Sequence, residues 1–296
     1  MVSFKTTKIS SWWMAIRPHT LPAAISPVIV AWSITYQQKS FSLLPALAAM
    51  FSALMIQIIS NLVNDVMDFN KGADTEQRQG FKRVTQSGLL SQKEVWGGVV
   101  LAIILAFLAG SYLIWLRGYW VLLIGVISIL SSIAYTAGPF PLAYNGFGDL
   151  FVLIFFGFVN LCGSVFVIMS TIPSISWVMA FNMGALITAI LVVNNIRDIE
   201  SDRKAGRRNI PIVYGLKVAF WEYRALIILP YILLLFTAIF SRQFFLLMPF
   251  LSFPFAIQLL RDLPKTKGAQ LNKILGQTAQ LVLRYGVLLA IGFLLS

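Results

Sequence analysis

Residues 191–209 read LVVNNIRDIESDRKAGRRN, a stretch that changes from fully apolar to highly charged within a few positions. Asp198 and Asp202 are four residues apart, so a helix would direct both carboxylates to one side, with the amide of Asn194 or Asn195 one turn earlier. A soluble helix carries such residues for solubility. The rest of this chain is far more apolar than a soluble protein, so the charges mark the end of a membrane-spanning helix.

The composition indicates a protein embedded in a bilayer along its whole length. Of 296 residues, 58% are hydrophobic and 11% are charged, whereas a soluble domain has roughly 25% charged residues. Apolar runs of about 20 residues, enough to cross a bilayer, recur from end to end. We expect an all-α polytopic membrane protein forming a single domain over residues 1–296. The sequence predicts about nine spans, at residues 19–37, 41–63, 96–115, 119–137, 149–170, 176–196, 224–240, 243–260 and 278–295.

The net charge of +12 could suggest a nucleic-acid partner, but the distribution of the basic residues argues against one. With nine spans and the N-terminus inside, 20 of the 23 Lys and Arg residues fall on the inner side, and only Lys39, Arg117 and Arg242 fall outside. This bias predicts a cytoplasmic N-terminus in the cell inner membrane. The basic side would meet anionic lipid or an anionic substrate. The lone Cys162 excludes a disulfide framework.

Acidic residues are concentrated at the inner ends of two predicted spans. The first stretch is NLVNDVMDFNKGAD (61–74), and the second is NNIRDIESDRKAG (194–206). Seven of the 11 acids lie in or beside them: Asp65, Asp68, Asp74, Glu76, Asp198, Glu200 and Asp202. Asn64, Asp68 and Gly72 follow one another at intervals of four residues in the first stretch. Asp198, Asp202 and Gly206 do the same in the second. This repeat predicts two related halves, helices 1–4 and 5–8, with a ninth helix added.

A single acid at a helix end is often only the solvated boundary of a span. Two matched faces of carboxylates and amides are harder to explain in this way, because ionisable groups at membrane depth usually line a functional cavity. Dense oxygen ligands suit Mg²⁺, which binds through a few carboxylates together with substrate phosphates, and two facing motifs can share a diphosphate. We therefore expect Asn64, Asp68, Asp198 and Asp202 to be metal ligands.

Basic residues surround both motifs and can offset the charge of a diphosphate. The candidates are Lys71, Arg78, Lys82, Arg83, Arg203, Lys204, Arg207 and Arg208, and several of them are ordinary inner-side residues. A P-loop, an HExxH motif and a cysteine cluster are all absent from the sequence. A diphosphate would therefore be bound by metal and basic side chains while its organic tail lies among the helices. The expected ligand is a lipid diphosphate.

Four blocks of sequence resemble the UbiA-type intramembrane prenyltransferases, and within them the 1,4-dihydroxy-2-naphthoate polyprenyltransferases. The blocks are RPHTLPAA (17–24), SNLVNDVMDFNKGAD (60–74), AYTAGPFPLAYNGFGD (134–149) and VNNIRDIESDRKAGRRN (193–209). The resemblance implies a nine-helix bundle that uses Mg²⁺ to transfer a polyprenyl group from its diphosphate. On 1,4-dihydroxy-2-naphthoate, loss of CO₂ would then give demethylmenaquinol.

This resemblance and the motif spacing together select the candidate site residues. The catalytic candidates are Asp65, Asp68, Asp198 and Asp202. The substrate-binding candidates are Arg17, Asn61, Asn64, Lys71, Arg78, Lys82, Tyr135, Asn195, Arg197, Lys204 and Arg208. Arg17 is either the partner of the acceptor carboxylate or an interfacial anchor. Tyr135 is either a ring that stabilises a carbocation or a residue of the interfacial aromatic belt. Tyr144 is favoured as a residue of the interfacial aromatic belt, and Asp149 as a helix N-cap.

Two alternatives remain at the level of the sequence. A transporter also has repeats with acids between them, but its acids lie near the midplane of the membrane and not at its surface. A prenyltransferase of the same type with another acceptor, such as hydroxybenzoate, homogentisate, chlorophyllide or haem, has the same two motifs. The position of the motifs favours an enzyme over a transporter. The motifs do not distinguish among the possible acceptors.

Overall fold

The computed structural model describes residues 7–72, 80–81 and 83–296, and these form helices joined by short loops. Within this part of the chain, extended pairing is limited to one isolated bridge between Asn145 and Arg208. The all-α prediction is confirmed. The helices are α1 (Lys8–Ile16), α2 (Leu21–Gln37), α3 (Leu43–Asn70), α4 (Gln92–Arg117), α5 (Tyr119–Ala134), α6 (Gly148–Met169), α7 (Ser174–Arg197), α8 (Ile199–Lys204), α9 (Ile210–Val213), α10 (Leu216–Ser241), α11 (Phe244–Lys265) and α12 (Leu271–Leu295).

Seven helical segments of the described chain are long and apolar enough to cross a bilayer. They are α3, α4, α6, α7, α10, α11 and the segment Gly268–Leu295, which contains α12. Helix α5 is apolar but has 16 residues, and α2 has 17. At 1.5 Å per residue these two are about 25 Å long, less than the roughly 30 Å hydrocarbon core. Both lie where a span was predicted, so the count of nine remains a prediction.

The outward faces of the long helices are covered by large apolar side chains. On α4, Leu101, Phe107 and Trp115 are exposed, and on α10 Phe236 and Phe240 are exposed. Such a surface would aggregate in water, whereas lipid tails accommodate it. Because the helices satisfy their own backbone hydrogen bonds, they can remain in a solvent that offers none. The chain is therefore an integral membrane protein.

Helix α7 is the most enclosed span of the bundle and packs closely against α6. A Cβ at Gly157 on α6 would lie 2.4 Å from the carbonyl oxygen of Ala180, and one at Gly184 on α7 would lie 2.6 Å from that of Leu153. The two glycines therefore let the backbones come into direct contact. The contact lies on the π-helical part of α6, Leu153–Cys162. It fixes α6 beside the helix that ends in the second acidic motif.

The two acidic motifs end in the same backbone geometry, which supports the predicted repeat. Gly72 has φ +68° and Gly206 has φ +75°, a conformation that glycine adopts without strain. Each donates its N–H to the carbonyl three residues earlier, at 3.0 Å and 3.2 Å respectively. The motifs differ at one point: α3 continues without a break through its acids, whereas α7 ends at Arg197 and the helix resumes as α8 after Asp198.

Labelling of single cysteines would test the predicted orientation. In a Cys162→Ala background, we expect a membrane-impermeant maleimide to label Ser241→Cys on intact cells and to label Glu200→Cys only after permeabilisation. Both positions are exposed, and they lie near opposite ends of the bundle. Labelling of Glu200→Cys from outside intact cells would contradict the cytoplasmic placement of the acidic motifs.

Candidate active site at the carboxylate end of the bundle

The first motif occupies the last three turns of α3, where two of its polar side chains make structural contacts. Asn61 donates its Nδ2–H to the Ile16 carbonyl at 2.8 Å and to the Thr20 hydroxyl at 3.0 Å. Asn64 accepts a hydrogen bond from the Thr136 hydroxyl at 2.6 Å. Asn61 therefore ties α3 to the end of α1, and Asn64 ties it to the loop after α5.

Asp65 is buried and accepts hydrogen bonds from a neighbouring loop. The backbone N–H groups of Val84 and Thr85 donate to its carboxylate at 3.3 Å and 2.9 Å. Arg17 lies beside it, with Nη2 3.9 Å from Oδ2. A carboxylate with these partners positions the loop and Arg17. The catalytic role predicted for Asp65 remains a prediction, and the contacts indicate a positioning role.

Asp68 is the most heavily contacted acid of the first motif. Arg207 donates to its Oδ1 in a short hydrogen bond, and the Tyr144 hydroxyl donates to the same oxygen at 3.1 Å. Arg83 reaches its Oδ2 from 3.4 Å. The carboxylate is buried, so these charged and polar partners are needed to offset the loss of water.

The second motif has its own set of guanidinium partners. Arg197 donates to Asp198 through Nε at 2.8 Å and through Nη2 at 2.7 Å, a two-point pair between neighbouring residues. Asp202 lies 3.2 Å from Arg207 Nη1 and accepts a hydrogen bond from Asn209 at 3.0 Å. Asp198 and Asp202 are both buried. Together they form the second half of one polar cluster.

Arg207 joins the two motifs directly. Its guanidinium contacts Asp68 at the end of α3 and Asp202 on α8, and both contacts are shielded from solvent. Burial alone would lower the pKa of Arg207, but the two carboxylates outweigh that effect and keep its pKa well above the usual value. Arginine suits this position because its planar guanidinium is always charged and can donate to both acids at once. Lysine has no such planar group of donors.

Tyr144 completes the cluster with its ring and its hydroxyl. Lys71 Nζ lies 4.1 Å from the ring centroid, and the Arg207 Cζ lies 4.5 Å from it. Burial raises the pKa of Tyr144 to about 12, so the phenol stays protonated and donates to Asp68. The sequence favoured the aromatic belt for Tyr144. The structure places it within the acidic cluster instead, since the loop after α5 folds back over the motif.

A cavity of about 410 Å³ opens at this cluster and extends into the bundle. Its polar end is lined by Arg17, Asn64, Asp68, Asn195 and Arg207. Its remaining wall is apolar and comes mainly from α4, α5 and α6. That part reaches the last turns of α4 at Leu113 and of α6 at Val167, the ends remote from the acidic motifs. The cavity is therefore charged at one end and apolar along most of the membrane thickness.

The predicted substrate-binding residues fall into three groups. Arg17, Asn61, Asn64, Tyr135, Asn195, Arg197 and Arg208 line the cavity. Lys71 and Lys204 do not line it: Lys71 donates to the Thr136 carbonyl at 2.7 Å, and Lys204 is exposed on α8. Arg78 and Lys82 lie outside the described residues, as do Asp74 and Glu76. The binding roles of all three groups remain predictions.

The chemistry of the donor set fits a hard divalent cation. Asn64, Asp68, Asp198 and Asp202 offer amide and carboxylate oxygens at one end of the bundle, the ligand type that Mg²⁺ prefers. In the described part of the chain the acids are not gathered into a group of three, because guanidinium groups are interleaved with them. Metal binding by these residues would require the carboxylates to exchange arginine partners for the cation.

Two residues have a larger part in the cluster than the sequence predicted, and the position predicted for a third is wrong. Arg207 appeared only as one base among eight, although its position five residues after Asp202 lets the Gly206 turn bring it back to that acid. Tyr144 belongs to the PLAYNGFGD block, and the resemblance of that block was the available signal. Asp149 was predicted to be an N-cap, which is wrong: Phe147 precedes the helix, and Asp149 lies within its first turn.

Comparison with known proteins agrees with this geometry. The profile of the UbiA prenyltransferase family matches residues 24–275. The chain is 34% identical over 216 residues to a 1,4-dihydroxy-2-naphthoate octaprenyltransferase of Haemophilus influenzae, covering 70% of each chain. It is 34% identical over 289 residues to the enzyme of the same name from Bacillus subtilis, covering 96% of this chain and 92% of that one.

A solved structure has the same fold. It is a UbiA homolog from Archaeoglobus fulgidus bound to DMAPP and Mg²⁺, with a TM-score of 0.64 and 16% identity over 95% of this chain and all of the other. At this identity the likeness shows the fold alone. The family match spans most of the chain, and two relatives exceed 30% identity, so this chain belongs to the UbiA prenyltransferase family.

Removal of the Arg207 bridge should destabilise the bundle. We expect Arg207→Ala to lower the free energy of unfolding by on the order of 3 kcal/mol, because two buried carboxylates lose a charged partner. Thermal unfolding in detergent micelles measures the loss. Arg203→Ala, at an exposed position on α8, is the matched control and should be neutral.

A double-mutant cycle would attribute the effect to the bridge itself. Asp202→Asn should lower the free energy of unfolding less in the Arg207→Ala protein than in the wild type. The difference between the two effects should be roughly 0.5–3 kcal/mol. Strict additivity would show that Arg207 and Asp202 do not interact.

Proposed function

We propose that this chain transfers a polyprenyl group from its diphosphate to 1,4-dihydroxy-2-naphthoate, with loss of CO₂ and diphosphate, to give demethylmenaquinol. One observation carries the proposal: two acidic motifs from separate parts of the chain converge at the mouth of a long apolar cavity. A prenyl diphosphate has the same division into a charged head and an apolar tail. The names of the Haemophilus and Bacillus relatives support this choice of acceptor.

The diphosphate end of the substrate would lie at the acidic cluster. Asn64, Asp68, Asp198 and Asp202 would hold Mg²⁺, which supplies the charge neutralisation that a leaving diphosphate requires. The Archaeoglobus homolog, whose structure contains DMAPP and Mg²⁺, supports this choice of metal. Arg83, Arg207 and Arg208 line the same end of the cavity and add positive charge. Their guanidinium groups suit phosphate oxygens, which they bind through two N–H donors at once.

The prenyl tail would occupy the apolar part of the cavity. Phe155 and Phe156 on α6 line this part, together with Leu113 on α4 and Val121 on α5. Ionisation of an allylic diphosphate leaves a carbocation that water would destroy. The apolar lining would exclude water from the reacting carbon, and the ring of Tyr135, which also lines the cavity, would stabilise the positive charge.

The acceptor would bind beside the prenyl carbon with its carboxylate on Arg17. This residue lines the cavity and has φ +55°, which turns the chain sharply between α1 and α2. Asp65 lies 3.9 Å from its guanidinium and fixes its direction. Arg17 comes from a part of the sequence remote from both motifs, so it can bind the acceptor while other arginines bind diphosphate.

The proposed location is the cell inner membrane, with the active site on the cytoplasmic side. The distribution of basic residues supports it, since 20 of 23 lie on the side of the acidic motifs under the nine-span topology. Both substrates carry negative charge at the end that would enter this side. The whole chain would act as one domain.

Reconstitution would test the proposed reaction. Purified protein in lipid, given 1,4-dihydroxy-2-naphthoate, a polyprenyl diphosphate and Mg²⁺, should produce demethylmenaquinol, identified by mass. EDTA should abolish turnover, and added Mg²⁺ should restore it. We expect Asp68→Ala, Asp198→Ala and Asp202→Ala each to abolish transfer, because each removes a metal ligand. Full turnover in EDTA would contradict the metal-diphosphate mechanism, and hydroxybenzoate as the preferred acceptor would contradict the choice of naphthoate.

Separate measurement of the two KM values would test the acceptor site. A charge-assisted hydrogen bond contributes about 1.5–3 kcal/mol, so Arg17→Ala should raise the KM for the acceptor roughly tenfold to a hundredfold. The KM for prenyl diphosphate should stay nearly unchanged. Arg261→Ala, at an exposed position on α11 outside the cavity, serves as the control. A rise confined to the diphosphate KM would show that Arg17 belongs to the other subsite.

A further inference from the structure

Asp149 lies in the first turn of α6 and lines the cavity. Its Oδ1 is buried and accepts no hydrogen bond from the described part of the protein. Burial of a carboxylate oxygen without a hydrogen-bond partner destabilises the folded protein. The proposed prenyl and metal sites do not use this residue, so its position needs another explanation.

Three side chains of the described cavity wall can accept a proton, His19, Asp68 and Asp149, and the ring of His19 is packed against Phe81. Among its described lining residues, the carboxylates are Asp68 and Asp149. Asp68 already accepts hydrogen bonds from Tyr144 and Arg207 and pairs with Arg83. Asp149 is therefore the lining carboxylate with fewer partners among the described protein groups, since its Oδ1 has none.

Asp149 also lies near the part of the cavity where the two substrates would meet. A Cβ on the preceding residue, Gly148, would lie 3.4 Å from the Tyr135 hydroxyl, so Tyr135 is packed against this turn of α6. The residue after Tyr135, Thr136, donates its hydroxyl to Asn64 of the first motif at 2.6 Å. The carboxylate thus lies in the same region of the bundle as the acidic cluster.

We infer that Asp149 is a catalytic proton acceptor, which takes the hydroxyl proton of the phenolic acceptor as the ring attacks the prenyl carbon. This inference rests on the proposed function. The ring–carbon bond forms as the bond from the prenyl carbon to diphosphate oxygen breaks, and the hydroxyl proton passes to Asp149. When CO₂ then leaves, the electron pair of its bond to the ring returns to the ring, and Asp149 gives the proton back to the oxygen. The carboxylate is regenerated, and no external acid, base or oxidant is needed.

A base in this position activates the acceptor at the moment when the carbocation develops. Deprotonation makes the ring more electron-rich, and a well-placed general base typically contributes about 10²–10⁴-fold in rate. The apolar surroundings also keep water from competing for the proton or the cation. The role gives a function to a carboxylate that lines the cavity and has a buried oxygen without a protein partner.

Kinetics of Asp149→Asn would test the inference. We expect kcat for phenolic acceptors to fall about a hundredfold or more, with the KM for prenyl diphosphate within about twofold of wild type. Asp149→Glu should restore part of the rate. An acceptor with a more acidic hydroxyl, such as a ring-fluorinated dihydroxynaphthoate, should lose much less rate in Asp149→Asn, because its proton leaves without help.

Asp262→Asn on α11 is the matched control. It makes the same chemical change at a carboxylate that does not line this cavity. This variant should keep the wild-type kcat. Folding of each variant is checked by the rise in unfolding temperature on adding Mg²⁺ and a non-hydrolysable prenyl diphosphate analogue, which should match wild type.

The outcomes separate the inference from the proposed function. Wild-type kcat in Asp149→Asn, or an equal loss for acidic and ordinary acceptors, would overturn the role of Asp149. A wild-type protein that prenylates a different phenol would overturn the naphthoate assignment and leave Asp149 to be tested with that phenol. A wild type that prenylates no phenol would overturn both.

Discussion

The guanidinium of Arg207, placed between the carboxylates of Asp68 and Asp202, is the interaction on which the arrangement of the site depends. The two acids come from separate helices, and both are buried where water cannot solvate them. Without a shared cation, the two carboxylates would repel each other across a medium of low dielectric constant. The arginine turns that repulsion into attraction and so determines how closely the ends of α3 and α8 can approach.

The contact of Arg207 with the two carboxylates bears on both the stability of the bundle and the binding of a ligand. Oxygen ligands able to bind a divalent cation are paired with arginines in the structure, and Tyr144 packs its ring against Arg207 and Lys71. A metal diphosphate brings both a cation for the carboxylates and an anion for the arginines. The cluster can therefore exchange internal ion pairs for substrate ion pairs with little change in net charge, which suits a site that must open to a highly charged ligand.

Helix packing explains why this cluster opens onto a cavity and not onto a closed core. Gly157 and Gly184 bring the backbones of α6 and α7 together on one side, while the side of α6 that bears Phe155 and Val159 faces the cavity. The cavity wall is mainly apolar away from the acidic cluster, with a few serine and amide side chains, and the charged groups are confined to one end. In the proposed reaction this separation allows one site to ionise a diphosphate and to protect the carbocation from water.

The sequence by itself determined the helical class, the positions of the long spans and the two acidic motifs, because each depends on local features. Apolar runs predict spans through their length, and four-residue spacing places Asp198 and Asp202 on one helical face regardless of the rest of the fold. The repeat of spacing between the motifs reappeared in the structure as two glycine turns with nearly the same φ. Only the tertiary structure decided which polar residues meet. Arg207 is 139 positions from Asp68, and the sequence does not indicate that Arg207, and not Arg203 on α8 or the adjacent Arg208, would be the arginine that contacts Asp68 and Asp202 together. Asp149 was recognisable only as an acid at a helix start, and its free oxygen became visible once α6 was packed. Side-chain partners of this kind depend on how helices approach one another, which single-chain periodicity does not encode.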